Sequence, residues 1–260
     1  MCIRDSKGTE DNRVRKLDYS IQISKLFYER FIQNETISLF SPHDVPGLYD
    51  AFGTDDFDAL YEKYEQDEKI ARRTVDASQI VLSLLKERAE TGRIYIMNID
   101  HCNSHSSFKD KVNMSNLCQE ITLPTDPISH IDDDGGEIAL CILSAINVGK
   151  LRNLNEMEEL CDLAVRGLEE LIDYQKYPVK AAERSTLARR SLGVGYIGLA
   201  HYLAKNGYNY SDQGAWDLVH KLSESFQFNL LKASNAIAME KGACEGCLLY
   251  TSDAADEFSC

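Results

Sequence analysis

The chain has 260 residues, 43% of them hydrophobic, enough for a buried core in one large domain or two small ones. Its formal charge of −14 excludes an extended nucleic-acid-binding face, which needs clustered Lys and Arg to replace counterions; a polyanionic substrate would have to be held locally, by helix N-termini or a few basic groups. No apolar run reaches the roughly eighteen residues of a membrane span, no signal-peptide h-region opens the chain, and eight cysteines without dense regular spacing read as reduced thiols, so a cytoplasmic location is expected.

From Leu17 to Ile32 the residues Leu17, Ile21, Leu26, Phe27 and Phe31 recur at helical intervals and predict a helix. Ser41-Pro42, with Asp44 behind it, offers an N-cap and a proline at the first helical position. Asp55 to Arg73 reads as a helix burying Phe57, Leu60, Tyr61 and Tyr64, and Val75 to Glu90 as a second burying Ile80, Val81, Leu84 and Leu85, closed by Gly92. Arg93 to Asp100 is short, apolar and β-rich, as expected of a strand buried on both faces. His101, Cys102 and His105 follow and with Cys118 could be written as a soft metal site, but the spacing fits no common zinc pattern, and polar loop residues are the better reading.

Residues 106–135 lack sustained periodicity, contain Pro124, Pro127 and an acidic run at 132–134, and form a long loop of the kind that is functional or disordered. Ile138 to Val148, carrying Cys141, predicts a central strand. Asn155 and Glu158 suggest a capping box opening a helix whose stripe runs from Met157 through Cys161 to Ile172; Cys161 is then a small core residue. Lys180 to Arg190 is basic and helical in character, and Asp217 to Lys241 is a long amphipathic helix ended by Gly242. Gly193, Gly195 and Gly198 spell G-x-G-x-x-G, with Asp217 near the offset of a ribose-binding acid; since too few residues precede Gly193 for a strand, the glycines are expected to permit close backbone approach in a barrel.

Within the long loop lies Asn116-Leu117-Cys118-Gln119-Glu120. In an extended backbone, positions i, i+2 and i+4 face one way, so the Asn116 amide, the Cys118 thiol and the Glu120 carboxylate would share one space, with Gln119 pointing away. A thiol and a carboxylate so placed can divide a reaction, sulfur making and breaking a bond while the carboxylate carries a proton.

This stretch, with Leu123-Pro124-Thr125 and Gly136 to Cys141 after it, resembles the finger loop and following strand of the ribonucleotide reductase large subunit. The similarity runs collinearly from Asn12-Arg13-Val14-Arg15 through Ser41 to Asp50 and Thr91 to Ile96, down to Lys241-Gly242-Ala243-Cys244, covering residues 7–246. It implies an α/β fold, a helix-rich fragment of the family's ten-stranded α/β barrel, in the aerobic class I branch that reduces ribonucleoside diphosphates. By the same resemblance Cys118 is the position that becomes a thiyl radical and abstracts the 3′-hydrogen, Glu120 takes the 3′-hydroxyl proton, Asn116 orients both, and Cys141 is one of the pair that ends as a disulfide. The second cysteine, the effector and phosphate sites, the radical-relay tyrosines and the C-terminal cysteine pair belong to other parts of the family's chain. The resemblance further implies no cofactor or metal on this fragment, dependence on a radical-generating metal-containing small (beta) subunit and on ATP or dNTP effectors, re-reduction by thioredoxin or glutaredoxin, and a homodimeric parent. Neither nucleic acid nor membrane is an expected partner.

Met1 to Ser6 and Cys247 to Asp256 resemble a sequencing-library adapter translated from its two strands, so 1–6 and 247–260 are expected as non-native tails around a partial barrel domain at 7–246. The fragment alone is expected to be inactive. Two other readings stay open: a helical interaction protein, favoured if Cys118 is unreactive and remote from Glu120, and a dinucleotide-binding domain, favoured if a strand precedes Gly193.

Overall fold

The structure is a computed structural model that describes residues 18–106, 108–116 and 118–246; the expected tails at 1–6 and 247–260, the residues 7–17, Ser107 and Leu117 lie outside the described residues. The chain divides into two compact units, Met1–Ser106 with Val112–Leu123, and Ser107–Lys111 with Pro124–Cys260. Each mixes helices with a little sheet, in keeping with the α/β class. Among the described residues the sheets are all two-stranded and none closes into a barrel.

In the first unit β1 (Tyr19–Ile23) runs parallel to β4 (Ile94–Asn98), with Tyr19 opposite Ile94 and Ile23 opposite Asn98. This corrects the helix expected from Leu17. Tyr19, Ile21 and Ile23 alternate with Ser20 and Gln22, and β4 satisfies their backbone groups, so α1 (Lys25–Ile32) starts only after the extended Ser24. A second pair, β2 (Thr36–Phe40) antiparallel to β3 (Arg72–Asp76), takes the end of the segment expected to be helical through Arg73; α3 stops at Gln66 (Phe57–Gln66). Ser41-Pro42 begins a turn rather than a helix, the N–H of Asp44 returning to Ser41 O at 3.0 Å. Pro46 biases Val45 away from helix, and α2 (Leu48–Ala51) forms only beyond Gly47 at φ 80°.

Helix α4 (Ala77–Thr91) ends on left-handed Gly92 as expected, but its stripe is poorly covered: Ala77 is buried, Ile80, Val81 and Leu84 are half-buried, and Leu85 is exposed. Strand β4 likewise has Met97 buried while Ile96 remains partly exposed, so it is not enclosed on both faces. The short α5 (Ile99–Ser104) follows it and packs through Ile99 on Met97 and Val112.

In the second unit β5 (Ile142–Asn147) runs parallel to β6 (Leu192–Ile197), Leu143 standing opposite Gly193. Ile146, Val148, Met157, Cys161, Tyr202, Leu222 and Phe226 form the core between this pair and the helices α6 (Glu156–Tyr174), α8 (Leu199–Lys205) and α9 (Gln213–Lys241). Met157 and Leu222 are wholly buried, each contributing about 1.5–3 kcal/mol by leaving water. The expected capping box does not form: Asn155 is itself helical (φ −67°), its N–H goes to Asn153 Oδ1 at 3.0 Å, and Glu158 reaches Lys232 on α9 at 2.6 Å. Helix α7 (Lys180–Arg189) matches the basic segment, and α9 begins a turn earlier than Asp217, after Asp212.

Candidate functional site

Asn116, Cys118, Gln119 and Glu120 lie in a turn of the long loop and not on the extended backbone that would face three of them one way. Gln119 is left-handed at φ 65°, its N–H and its Nε2 both donate to Asn116 O at 3.1 Å, and Asn116 Oδ1 accepts the Ile121 N–H at 3.1 Å. Ser115 Oγ adds a bond to Ile121 O at 2.7 Å. An asparagine that satisfies a main-chain N–H competes with extended pairing, and here it wins. Cys118 and Glu120 are exposed on this turn, while the Asn116 amide oxygen serves the backbone.

Gln119 was expected to point away from the shared space; its Oε1 is enclosed without a hydrogen-bond partner, and the side chain lines a cleft of about 460 Å³ with Met97, His101, Cys102, His105 and Thr122. Tyr95 on β4 went unnoticed in the sequence. Its neighbour Cys118, first through the charge it would carry as a thiolate, holds its phenol above the usual range. His101 and His105 stand edge to face with ring centres 5.6 Å apart, His105 Nδ1 lying 3.2 Å from His101 O, and burial pushes the Cys102 thiol up. Among the described residues no three His, Cys, Asp or Glu are grouped to hold a metal ion.

The second unit carries Cys141, half-buried just before β5. A Cβ at Gly193 would overlap Leu143 Cδ2 and stand 2.9 Å from Cys141 Sγ. Gly198, at φ 79°, opens α8 with its carbonyl against Gly149. Close approach thus holds at Gly193 and Gly198, whereas Gly195 faces open space. Because Gly193 and Gly195 lie inside β6 and not in a loop after a strand, they form no phosphate cradle, and the dinucleotide reading is without support.

The long loop is held from α7. Arg184 donates to the carbonyls of Asp134, Gly135 and Gly136; Arg189, 8% exposed, pairs with Glu137 and with Asp110 at 2.8 Å. The basic segment therefore anchors acidic chain rather than presenting positive charge to a ligand. Cys161 is wholly buried, its thiol pushed up to about 11 by burial, as a core role requires. Cys244 Sγ bonds Arg189 O at 3.5 Å. Asn116, Cys118 and Glu120 share one turn of the first unit, and Cys141 belongs to the second.

A family model described as ribonucleotide reductase, barrel domain, matches residues 1–258. The ribonucleoside-diphosphate reductase subunit alpha of Haemophilus influenzae is 58% identical over 250 residues, covering 94% of this chain and 33% of that protein. The ribonucleoside-diphosphate reductase 1 subunit alpha of Escherichia coli K12 is 53% identical over 249 residues, with the same 94% and 33% coverage. The large chain of Schizosaccharomyces pombe is 33% identical over 251 residues, 94% of this chain and 30% of that one. The chain spans about a third of the length of the curated relatives it matches.

Proposed function

Since the chain belongs to the ribonucleotide reductase barrel-domain family, we propose that the whole protein containing it reduces ribonucleoside diphosphates to deoxyribonucleoside diphosphates by thiyl-radical chemistry. The observation that supports this best is local: Cys118 and Glu120 stand exposed two residues apart on a turn tied by Asn116. A thiol that makes and breaks a bond to hydrogen needs an unobstructed sulfur and a base within reach of the same substrate carbon.

In this reading a one-electron oxidant delivered through the small subunit removes the hydrogen atom of the Cys118 thiol. The sulfur then takes the 3′-hydrogen of the ribose, leaving a carbon radical. Glu120 accepts the 3′-hydroxyl proton, which it later returns to the 3′-oxygen, and the 2′-hydroxyl leaves as water by taking one of the protons of the Cys141 thiol pair. Cys141 and a second thiol from elsewhere in the whole subunit supply two electrons and two protons and become a disulfide. Cys118 returns its hydrogen to C3′, and thioredoxin or glutaredoxin reduces the disulfide. Asn116 acts by holding the turn and, with its amide NH2, orienting the hydroxyls. This chain holds no cofactor of its own in the scheme; ATP or dNTP effectors, homodimer formation and a cytoplasmic location belong to the whole protein. The tails at 1–6 and 247–260 are read as non-native.

The test is deoxynucleotide formation by the whole subunit with its radical-generating partner. Cys118→Ser and Glu120→Gln should each abolish it, and turnover by Cys118→Ser would overturn the proposal. The 260-residue chain alone should form no product over many turnovers.

A further inference from the structure

We propose that Gly193 sets the position of the Cys141 sulfur and is thereby a positioning residue for the thiol chemistry at Cys141, an inference that rests on the reductase reading above. Glycine inside a strand is unfavourable by about 0.5–1 kcal/mol relative to alanine, so an interior strand glycine asks for a reason. Backbone freedom is not that reason: Gly193 is absent from the positive-φ glycines, which include Gly198 at φ 79°. Space is. A Cβ at 193 would lie 2.9 Å from Cys141 Sγ, closer than real Cβ contacts come, and would overlap Leu143 Cδ2.

The two neighbours respond differently. Leu143 is 62% exposed, and the end of its side chain can swing into solvent. The cysteine sulfur turns on a single bond from a half-buried position, so a methyl at 193 moves it to another rotamer or drags the chain before β5. Gly195, two residues along the same strand, has nothing within 4 Å and provides an internal comparison. Disulfide formation tolerates little displacement, because the S–S bond and its dihedral are narrowly defined. The step concerned is the one given above: two thiols give up two electrons and two protons to the substrate, the 2′-oxygen leaves as water, and one S–S bond forms. A displaced Cys141 sulfur slows that step without touching substrate binding.

The experiment compares the whole alpha subunit with its Gly193→Ala, Gly195→Ala and Gly193→Ala/Leu143→Ala variants, each with the small subunit and a dithiol reductant. Gly193→Ala should lower kcat by about tenfold or more with KM little changed, and should alter the iodoacetamide alkylation rate of Cys141, resolved by mass spectrometry. Gly195→Ala should match the parent in both. The double variant should stay impaired, since the clash with sulfur remains. Parent-like alkylation and kcat in Gly193→Ala, or full recovery on removing Leu143, would overturn the proposal. Should Gly193→Ala fail to fold, adding Cys141→Ala must restore folding if sulfur is the obstacle, and no restoration overturns it equally. Turnover by Cys141→Ser would instead defeat the reductase reading, and the alkylation rate would still decide the role of Gly193.

Discussion

The side-chain oxygen of Asn116 accepts the Ile121 N–H at 3.1 Å while its carbonyl accepts the Gln119 N–H at 3.1 Å, so one asparagine closes the turn that carries Cys118. Asn116→Ala leaves the Ile121 N–H unpaired, at a local cost of about 1–3 kcal/mol. Amide exchange at Ile121 should accelerate accordingly in Asn116→Ala and stay near the parent rate in Asn116→Asp, which keeps the acceptor. Unchanged exchange in the alanine variant would mean that the turn is closed by something else.

Tyr61 binds Ser38 twice, accepting its N–H at 2.8 Å and donating to its carbonyl at 2.7 Å. Burial first, and the nearby Glu65 charge second, push its phenol from 10.0 up to about 12. A raised acid favours the neutral phenol in the folded state, so the linked stability is fully present below about pH 10 and is lost as pH rises through about 12. Urea midpoints measured across that window should fall more steeply for the parent than for Tyr61→Phe. Parallel curves would show that Tyr61 does not titrate with folding.

The long helices were readable because their stripes have a use: Met157, Cys161, Val165 and Ile172 recur at 3.6 and are buried. The strands β1, β2 and β3 were not, since five residues such as Tyr19–Ile23 carry little periodic signal and their partners lie far along the chain, Tyr19 with Ile94 and Thr36 with Asp76. Leu17 to Ile32 therefore looked like one helix, and Arg72 and Arg73 like the end of another. At the candidate site, spacing grouped Asn116, Cys118 and Glu120, and resemblance alone gave them their proposed roles and added Cys141. Their geometry was misjudged because nothing local announces a left-handed Gln119. Gly193 stood out as a motif letter, but its reason, room for the sulfur of the residue just before β5, depends on the β5–β6 register.

The cysteines should separate by accessibility. Cys118 is exposed, whereas Cys161 is wholly buried in the core of the second unit with its thiol pushed up to about 11. Brief iodoacetamide treatment near pH 8 should label Cys118 and leave Cys161 untouched until denaturant is added. Equal labelling of both in the folded chain would contradict the packing described.

Arg190 closes α7 in the left-handed region at φ 46° and is held there by Glu169 Oε1 at 2.6 Å and Asp173 at 2.9 Å. The Glu169 side chain is only 10% exposed. Arg190→Ala strands that carboxylate, and the expected loss is about 3–5 kcal/mol. Adding Glu169→Gln should recover part of it in urea unfolding; a double variant less stable than Arg190→Ala would mean that the pair is not coupled in this way.

The roles assigned to Cys118 and Cys141 predict that their serine variants fail differently in the whole subunit with an active partner. Cys118→Ser should perform no hydrogen abstraction, because an O–H bond is too strong for a reversible carrier, and substrate should be recovered intact. Cys141→Ser should still permit abstraction and loss of the 2′-hydroxyl, after which the unreduced intermediate collapses and releases free base. The measurement is base release from labelled ribonucleoside diphosphate. Release by Cys141→Ser and none by Cys118→Ser is the expected result; release by Cys118→Ser and none by Cys141→Ser would show that the two sulfurs have been assigned in reverse.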